Sequence, residues 1–148
     1  MTDYTQAVSD IFALFNEAWK AKTVAIAGYI PAIRWQGVEI GANPDKSKFW
    51  ARASQKTGGE TQSSLRNGDN GQRYENRGTA YIQIFCPLSV VGSASTGRKL
   101  AEVARDSFRG KQSVNGVWFR NAAIKEMPVE DDWYIFLVQA DYIYNEIA

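Results

Sequence analysis

The run of residues 80–86 constrains the fold more than any other part of the sequence. It is largely apolar on both faces: Ala, Ile, Ile and Cys alternate on one face, while Tyr81 and Phe85 flank Gln83 on the other. A strand with this pattern is typical of a sheet centre that is covered on both sides. Pro87 lacks a backbone N–H and ends the run. We therefore expect residues 80–86 to form a central strand.

Two helices are predicted from apolar side chains at helical spacing. The first covers residues 4–19, where the large apolar side chains form one stripe and Thr2 or Asp3 can cap the start. The second follows a segment of small residues and has Ser95 or Thr96 as its expected N-cap.

The remaining strands are predicted from apolar alternation between turn signals. We expect strands at residues 30–36 and 49–53, and a C-terminal hairpin of residues 117–125 and 133–144 joined by residues 127–131. The element order is then α, β, β, long loop, β, α, β, β. This order predicts an α+β fold: a mainly antiparallel β-sheet with two helices packed on one side and a long polar loop.

The long polar loop is the segment of residues 54–77. Its only large apolar members are Leu65 and Tyr74, so it lacks the side chains needed to bury itself. A chain of 148 residues suits one domain, and we expect a single domain over residues 1–148 that contains this loop. We expect the loop to be mobile in the isolated subunit and ordered in an assembly.

The composition excludes several classes of site. The chain has no histidine and a single cysteine, Cys86, which removes Ser-His-Asp chemistry, His-bearing zinc sites and Cys clusters. The net charge is +1, which argues against a strongly basic nucleic-acid binder. No apolar run approaches the ~18–20 residues that a membrane helix needs. We expect no catalytic, cofactor-binding or metal site, no membrane contact and no sequence-specific nucleic-acid partner.

Three local motifs have ordinary structural interpretations. Residues 92–99 nearly spell a phosphate-binding loop, but Arg98 stands at the lysine position and Lys99 at the hydroxyl position, which favours a plain strand-to-helix turn. The acidic residues 130–132 are consecutive and are predicted to form a solvated turn. Cys86 ends an apolar strand and is predicted to be a small buried hydrophobic residue.

Charges are grouped along the chain. Residues 46–77 hold seven bases and three acids, residues 98–111 hold five bases and two acids, and residues 126–148 hold six acids and no base. A molecule with a basic part and an acidic part can meet its own copy head to tail, and such contacts close into rings when the rotation permits. Charges that merely lie on solvated faces explain the same pattern, and the sequence leaves both interpretations open.

An ordered set of motifs resembles the tail terminator proteins of long-tailed bacteriophages. The set comprises the short first helix ending near Trp19, Ile-Arg-Trp at residues 33–35, Phe-Trp-Ala-Arg at residues 49–52, and Phe-Arg-Gly at residues 108–110. Its best part is the segment 74–87, where a tyrosine, an acid and a glycine precede an alternating strand that ends in proline. This sequence departs in having a longer polar loop before that segment and a more aromatic final strand.

The resemblance implies a structural virion protein without enzymatic activity. Such a protein forms a ring, expected to be hexameric, on the last ring of the tail tube, where it ends elongation and joins the head connector. Its partners are its own copies, the tail tube protein and the head–tail connector protein, and it acts in the virion tail after synthesis in the bacterial host cytoplasm. The isolated protein can still be a monomer. Another head–tail joining or tail tube morphogenesis protein is the alternative, and an enzyme is a third hypothesis.

Six residues are candidates for the assembly interface. They lie in the polar loop and the second helix, and five of them are arginines of these basic segments. The candidates are Arg66, Arg73, Tyr74, Arg77, Arg98 and Arg105.

Overall fold

The computed structural model describes residues 3–38, 44–62 and 73–147, which form a single sheet and three helices. In chain order the elements are α1 (Tyr4–Lys22), α2 (Val24–Ala27), β1 (Ala32–Trp35), β2 (Trp50–Gln62), β3 (Arg73–Pro87), α3 (Ser93–Phe108), β4 (Trp118–Glu130) and β5 (Trp133–Ile147).

The sheet has the strand order β1-β2-β3-β5-β4. β1 runs parallel to β2, and every other neighbouring pair is antiparallel. The two long helices, α1 and α3, pack on one side, which we call the helix face. These observations confirm the predicted α+β fold and the central position of the strand that contains residues 80–86.

The start of α1 follows the predicted capping pattern. Asp3 adopts extended backbone angles, and its carboxylate accepts a hydrogen bond from the Gln6 N–H at 2.7 Å. The indole N–H of Trp19 donates to the Pro31 carbonyl at 2.9 Å and ties the end of the helix to the chain leading into β1. Ile11, Phe15 and Trp19 of the predicted stripe are fully buried. Its other members are less covered: Val8 and Phe12 are partly buried and Tyr4 is 50% exposed.

The start of α3 differs from the prediction. The helix begins at Ser93, so the expected caps Ser95 and Thr96 lie within it. Its N-cap is Gly92, whose left-handed backbone (φ 73°) suits a residue without a Cβ. The sequence favoured hydroxyl caps, whereas the direction in which the chain leaves β3 requires a left-handed residue at this position.

The predicted polar loop of residues 54–77 is too long. β2 continues to Gln62 and β3 begins at Arg73, and the two strands stay paired up to the Gln62–Tyr74 pair, with a bulge between Thr57 and Gly59. Only residues 63–72 of the predicted loop lie outside the described residues. Polar composition correctly indicated that these residues are exposed to solvent, but it gives no information about backbone pairing. Backbone hydrogen bonds join the end of β2 to the start of β3, and β3 is in turn paired with β5.

The C-terminal hairpin is also tighter than predicted. The expected connection of residues 127–131 is wrong, because Met127 pairs with Ile135 and Glu130 pairs with Trp133. The turn consists of residues 131–132, and Asp131 has a left-handed backbone with a φ of 52°. Met127 extends the strand because its side chain packs with Ile135 on the side away from the helices.

The side of the sheet opposite the helices, which we call the open face, is covered by side chains at one end. There Trp50, Phe85 and Ile135 are buried, with two partly buried neighbours, Met127 and Trp133. Farther along β3, Tyr81 and Gln83 are only half-buried. The prediction that β3 is covered on both sides therefore holds only near Phe85.

Candidate assembly surface

The reactive side chains singled out in the sequence lie in unreactive surroundings. Cys86 is fully buried, and burial raises the pKa of its thiol to about 12, which disfavours the thiolate. The acidic turn is exposed, and the Asp132 carboxylate lies 3.0 Å from the Lys46 ammonium at the surface. Among the described residues, no group of three or more acidic, cysteine or histidine side chains could hold a metal ion.

No helix in the described part of the chain has the length and apolar character needed to cross a membrane.

The segment that resembles a phosphate-binding loop is built for packing. Residues 93–99 lie inside α3, and Gly97 faces the sheet, where an added Cβ would overlap the Cys86 Sγ and lie 2.8 Å from Cε2 of Phe136. Gly92 makes the turn into the helix. The two glycines therefore serve the turn and the close approach of helix to sheet, in agreement with the predicted strand-to-helix turn.

The five candidate interface residues that the structure describes do not form one surface. Arg66 lies outside the described residues. Arg73, Tyr74 and Arg77 lie on the first half of β3, whereas the remaining two, Arg98 and Arg105, lie on α3.

Both arginines on α3 have acidic neighbours in their own subunit. The Nε of Arg98 lies 3.8 Å from the Glu126 carboxylate, and the Nε of Arg105 lies 3.1 Å from the Asp106 carboxylate. Glu126 belongs to the acidic C-terminal segment, so two parts of the chain with opposite charge meet within one molecule. The grouping of charges along the sequence therefore does not map directly onto two separate surfaces.

The fold creates a different charge separation, across the sheet. Successive strand residues point to opposite faces, and the pairing register shows which charged residues share the open face. Seven bases and three acids lie there, a net charge of +4, whereas the whole chain carries +1. We call this surface the basic face. Its bases are Arg34, Arg52, Lys56, Arg73, Arg77, Arg120 and Lys125, and its acids are Glu75, Asp141 and, at its end beside the β4–β5 turn, Glu130.

Sequence reasoning missed this surface because it counted charges along the chain. Arg34, Arg52, Arg120 and Lys125 lie on β1, β2 and β4, far apart in sequence, and only the register brings them to one side. The sequence does contain a signal: whether a charged residue stands at an odd or an even position of its strand decides which face of the sheet it is on. This signal becomes useful once the strand limits and bulges are known.

One end of the basic face is rigid. Trp50 stacks on Phe85 with ring centroids 3.9 Å apart, and Trp133 meets Trp50 edge-on at 6.0 Å. The guanidinium carbons of Arg34 and Arg52 lie 4.9 and 5.5 Å from the centre of the Trp50 ring. These cation–π contacts hold two positive charges at the surface above rings that are already packed against one another.

The middle of the basic face contains a hollow of about 370 Å³, lined in part by Arg77 and Arg120. The two arginines lie on β3 and β4, on either side of β5. Asp141 on β5 is already engaged, because its carboxylate accepts hydrogen bonds from the Thr79 hydroxyl at 3.2 Å and the Asn121 side-chain amide at 3.1 Å. Asp141 also lines the hollow, so the lining carries two cations and one anion, a net charge of +1 that favours an anionic group.

One edge of the sheet is incompletely paired. β1 pairs with β2 only as far as Ala53, and the Gln36 side chain then takes the place of a strand: it donates to the Gln55 carbonyl at 3.0 Å and accepts from the Gln55 N–H at 3.0 Å. Beyond Gln55, no described strand pairs with the outer edge of β2. An edge of this kind is available to pair with another chain.

These features define an α+β subunit with one helix-covered face and one basic face. Fourteen solved chains match it. One of them, a protein that carries no functional name, is 17% identical, with a TM-score of 0.61 and coverage of 92% of this chain and 94% of the other. Another, from the virion of a native gene transfer agent particle, is 16% identical, with a TM-score of 0.47 and coverage of 95% and 98%.

The first of these matches establishes a shared fold. No family model and no curated protein matches the chain.

Proposed function

We propose that this protein is a structural virion component that caps the tail tube of a long-tailed phage as a ring. In this role it ends tail elongation and forms the surface that joins the head connector. Its partners are its own copies, the tail tube protein and the connector protein. It is made in the host cytoplasm and acts in the tail of the virion.

The observation that carries this proposal is the incomplete covering of the sheet within one subunit. A whole face with a net charge of +4 and the outer edge of β2 lack helices or strands over them in the described part of the chain. A monomer normally protects such an edge. Contact with other subunits would cover both the basic face and the unpaired edge of β2. The resemblance over residues 74–87 favours the tail terminator as the particular role.

The role we propose is assembly without catalysis. The buried Cys86 has a raised pKa, and the hollow in the middle of the basic face holds arginines and an Asp141 that is already hydrogen-bonded. Neither arrangement supplies an activated nucleophile beside a general base, which covalent nucleophilic catalysis requires.

Deletion of the gene from the phage that encodes it, followed by electron microscopy of the lysate, tests the proposed function. A tail terminator predicts tails or tubes of excessive length without attached heads, and complementation with the intact gene restores normal particles. Absence of tails would indicate a tube component instead. Normal-length tails that fail to attach would indicate a joining protein. Normal particles would refute a role in morphogenesis.

A further inference from the structure

We propose that the acidic β4–β5 turn of one copy docks on the basic face of the next copy, at the hollow between Arg77 and Arg120. This inference rests on the proposed function, since it names the contact by which copies join into a ring.

The turn has the chemistry of a ligand for this hollow. Glu130, Asp131 and Asp132 are consecutive and exposed, and Lys46 engages one of the three carboxylates at 3.0 Å. The left-handed backbone of Asp131 makes a two-residue turn, which holds the neighbouring carboxylates close together at the end of the sheet. Val129 beside them is 55% exposed and supplies apolar contact area.

The hollow has the complementary chemistry. Arg77 donates to Glu75 at 2.7 Å, but a guanidinium has five N–H donors and keeps others for a second carboxylate. Arg120 is exposed on the other side of β5. Arginine binds carboxylates in a bidentate geometry, so this pair can orient an incoming acidic turn as well as attract it.

A second copy fits this surface better than a nucleic acid does. Binding of single strands relies on rings that stack on bases, and the rings at the rigid end of the face are already packed: Trp50 and Phe85 are each only 7% exposed. The acidic turn is present in every copy of the chain. The two surfaces lie at different places on the subunit, so the contact is head-to-tail, and it closes into a ring if the rotation permits.

Reciprocal charge reversal tests the contact. The face variant is Arg77→Glu with Arg120→Glu, and the turn variant is Glu130→Lys with Asp132→Lys. Asp131 stays unchanged because of its left-handed backbone. Lys20→Glu with Lys99→Glu, at exposed positions on α1 and α3, changes the charge by the same amount as the face variant and is the matched control. Arg77→Gln with Arg120→Gln serves as a milder face variant if reversal impairs folding.

Self-association is measured by sedimentation at ~0.01 M and ~1 M salt, where the Debye lengths are ~30 Å and ~3 Å. We expect each reversal to weaken association of the full chain about 10- to 100-fold at low salt, since several rim charges change sign together, and the control to leave it unchanged. An equimolar mixture of face and turn variants should recover association, because each acidic face then meets a basic turn and each basic face an acidic turn. The recovered rings must alternate and so contain an even number of subunits.

Three results would overturn the inference: a wild-type chain that does not self-associate at low salt, reversal variants that associate as the wild type does, or a mixture that fails to recover. Salt-sensitive binding of a DNA oligonucleotide that is lost in the face variant, without self-association, would assign the face to nucleic acid. The deletion experiment judges the proposed function separately. Tails of abnormal length in the deletion strain would support the proposed function. If rings also formed with both reversal variants, the proposed contact would be refuted while the function stood.

Discussion

Gly97 should be essential to the packing of α3 on the sheet. The change in the free energy of unfolding caused by Gly97→Ala measures this contribution. In an exposed helix interior this substitution stabilises by about 1 kcal/mol, because alanine has the higher helix propensity. Here the new Cβ would overlap the Sγ of Cys86 and lie 2.8 Å from Cε2 of Phe136, well inside the ~3.5–4.0 Å of an optimal carbon contact. Both neighbours are almost completely buried, so neither can move aside into solvent.

The overlap should outweigh the gain in propensity. Overpacking of a core costs ~1–3 kcal/mol, and we take the upper end because two buried neighbours are involved. Subtracting about 1 kcal/mol for helix propensity leaves a net destabilisation of about 2 kcal/mol. For a chain near 150 residues this corresponds to a fall in Tm of roughly 4–8 °C.

Thermal and urea unfolding of four variants provide the assay. Ser95→Ala, at an exposed position in the same helix, is the matched control and should be neutral or slightly stabilising. Cys86→Ala removes the closest atom, so the double variant with Gly97→Ala should be more stable than the sum of the single effects predicts, with a coupling of about 0.5–3 kcal/mol. A Gly97→Ala protein as stable as the wild type would refute the argument that Gly97 is needed for close packing of α3 on the sheet.

Three further outcomes are expected. Tyr142→Phe should destabilise by about 1–3 kcal/mol in urea unfolding, because the buried Gln55 Oε1 loses the hydroxyl that donates to it at 2.6 Å, whereas Tyr134→Phe should cost less. Burial raises the pKa of Cys86 from 9.0 and that of Tyr144 from 10.0, each to about 12. The native state therefore favours the neutral forms, and unfolding titrations should show stability falling as the pH rises from about 9 to about 12, with Cys86→Ala delaying the onset towards pH 10. Amides of residues 75–77 should exchange slowly in the isolated subunit because β3 is paired on both sides there; fast exchange would support the mobile loop that the composition predicts.

Apolar periodicity predicted the elements whose side chains are buried. The stripe of α1 and the centre of β3 were found because burial selects apolar residues at a fixed spacing. The same reasoning ended β2 at residue 53 although the strand continues to Gln62, where every side chain after Gln55 is exposed. Backbone pairing with β3 holds these residues, and a backbone hydrogen bond leaves little trace in composition.

The N-cap of α3 and the β4–β5 turn show a second limit of sequence reasoning. Gly92 and Asp131 both adopt left-handed backbone angles that depend on how the chain must turn in three dimensions. Ser95 and Thr96 are good caps by chemistry, yet both lie within the helix, which begins two residues earlier at Ser93.

The candidate surface shows why net charge was a poor guide to recognition. A total of +1 suggests a protein without a charged surface, but alternation along five strands places +4 on the open face and leaves −3 for the rest of the chain. A near-neutral total limits repulsion between identical copies at long range, while a basic face and an acidic turn attract each other at contact distance. These two conditions together suit head-to-tail association of one kind of subunit. A protein with the same net charge but evenly mixed faces would lack the second condition.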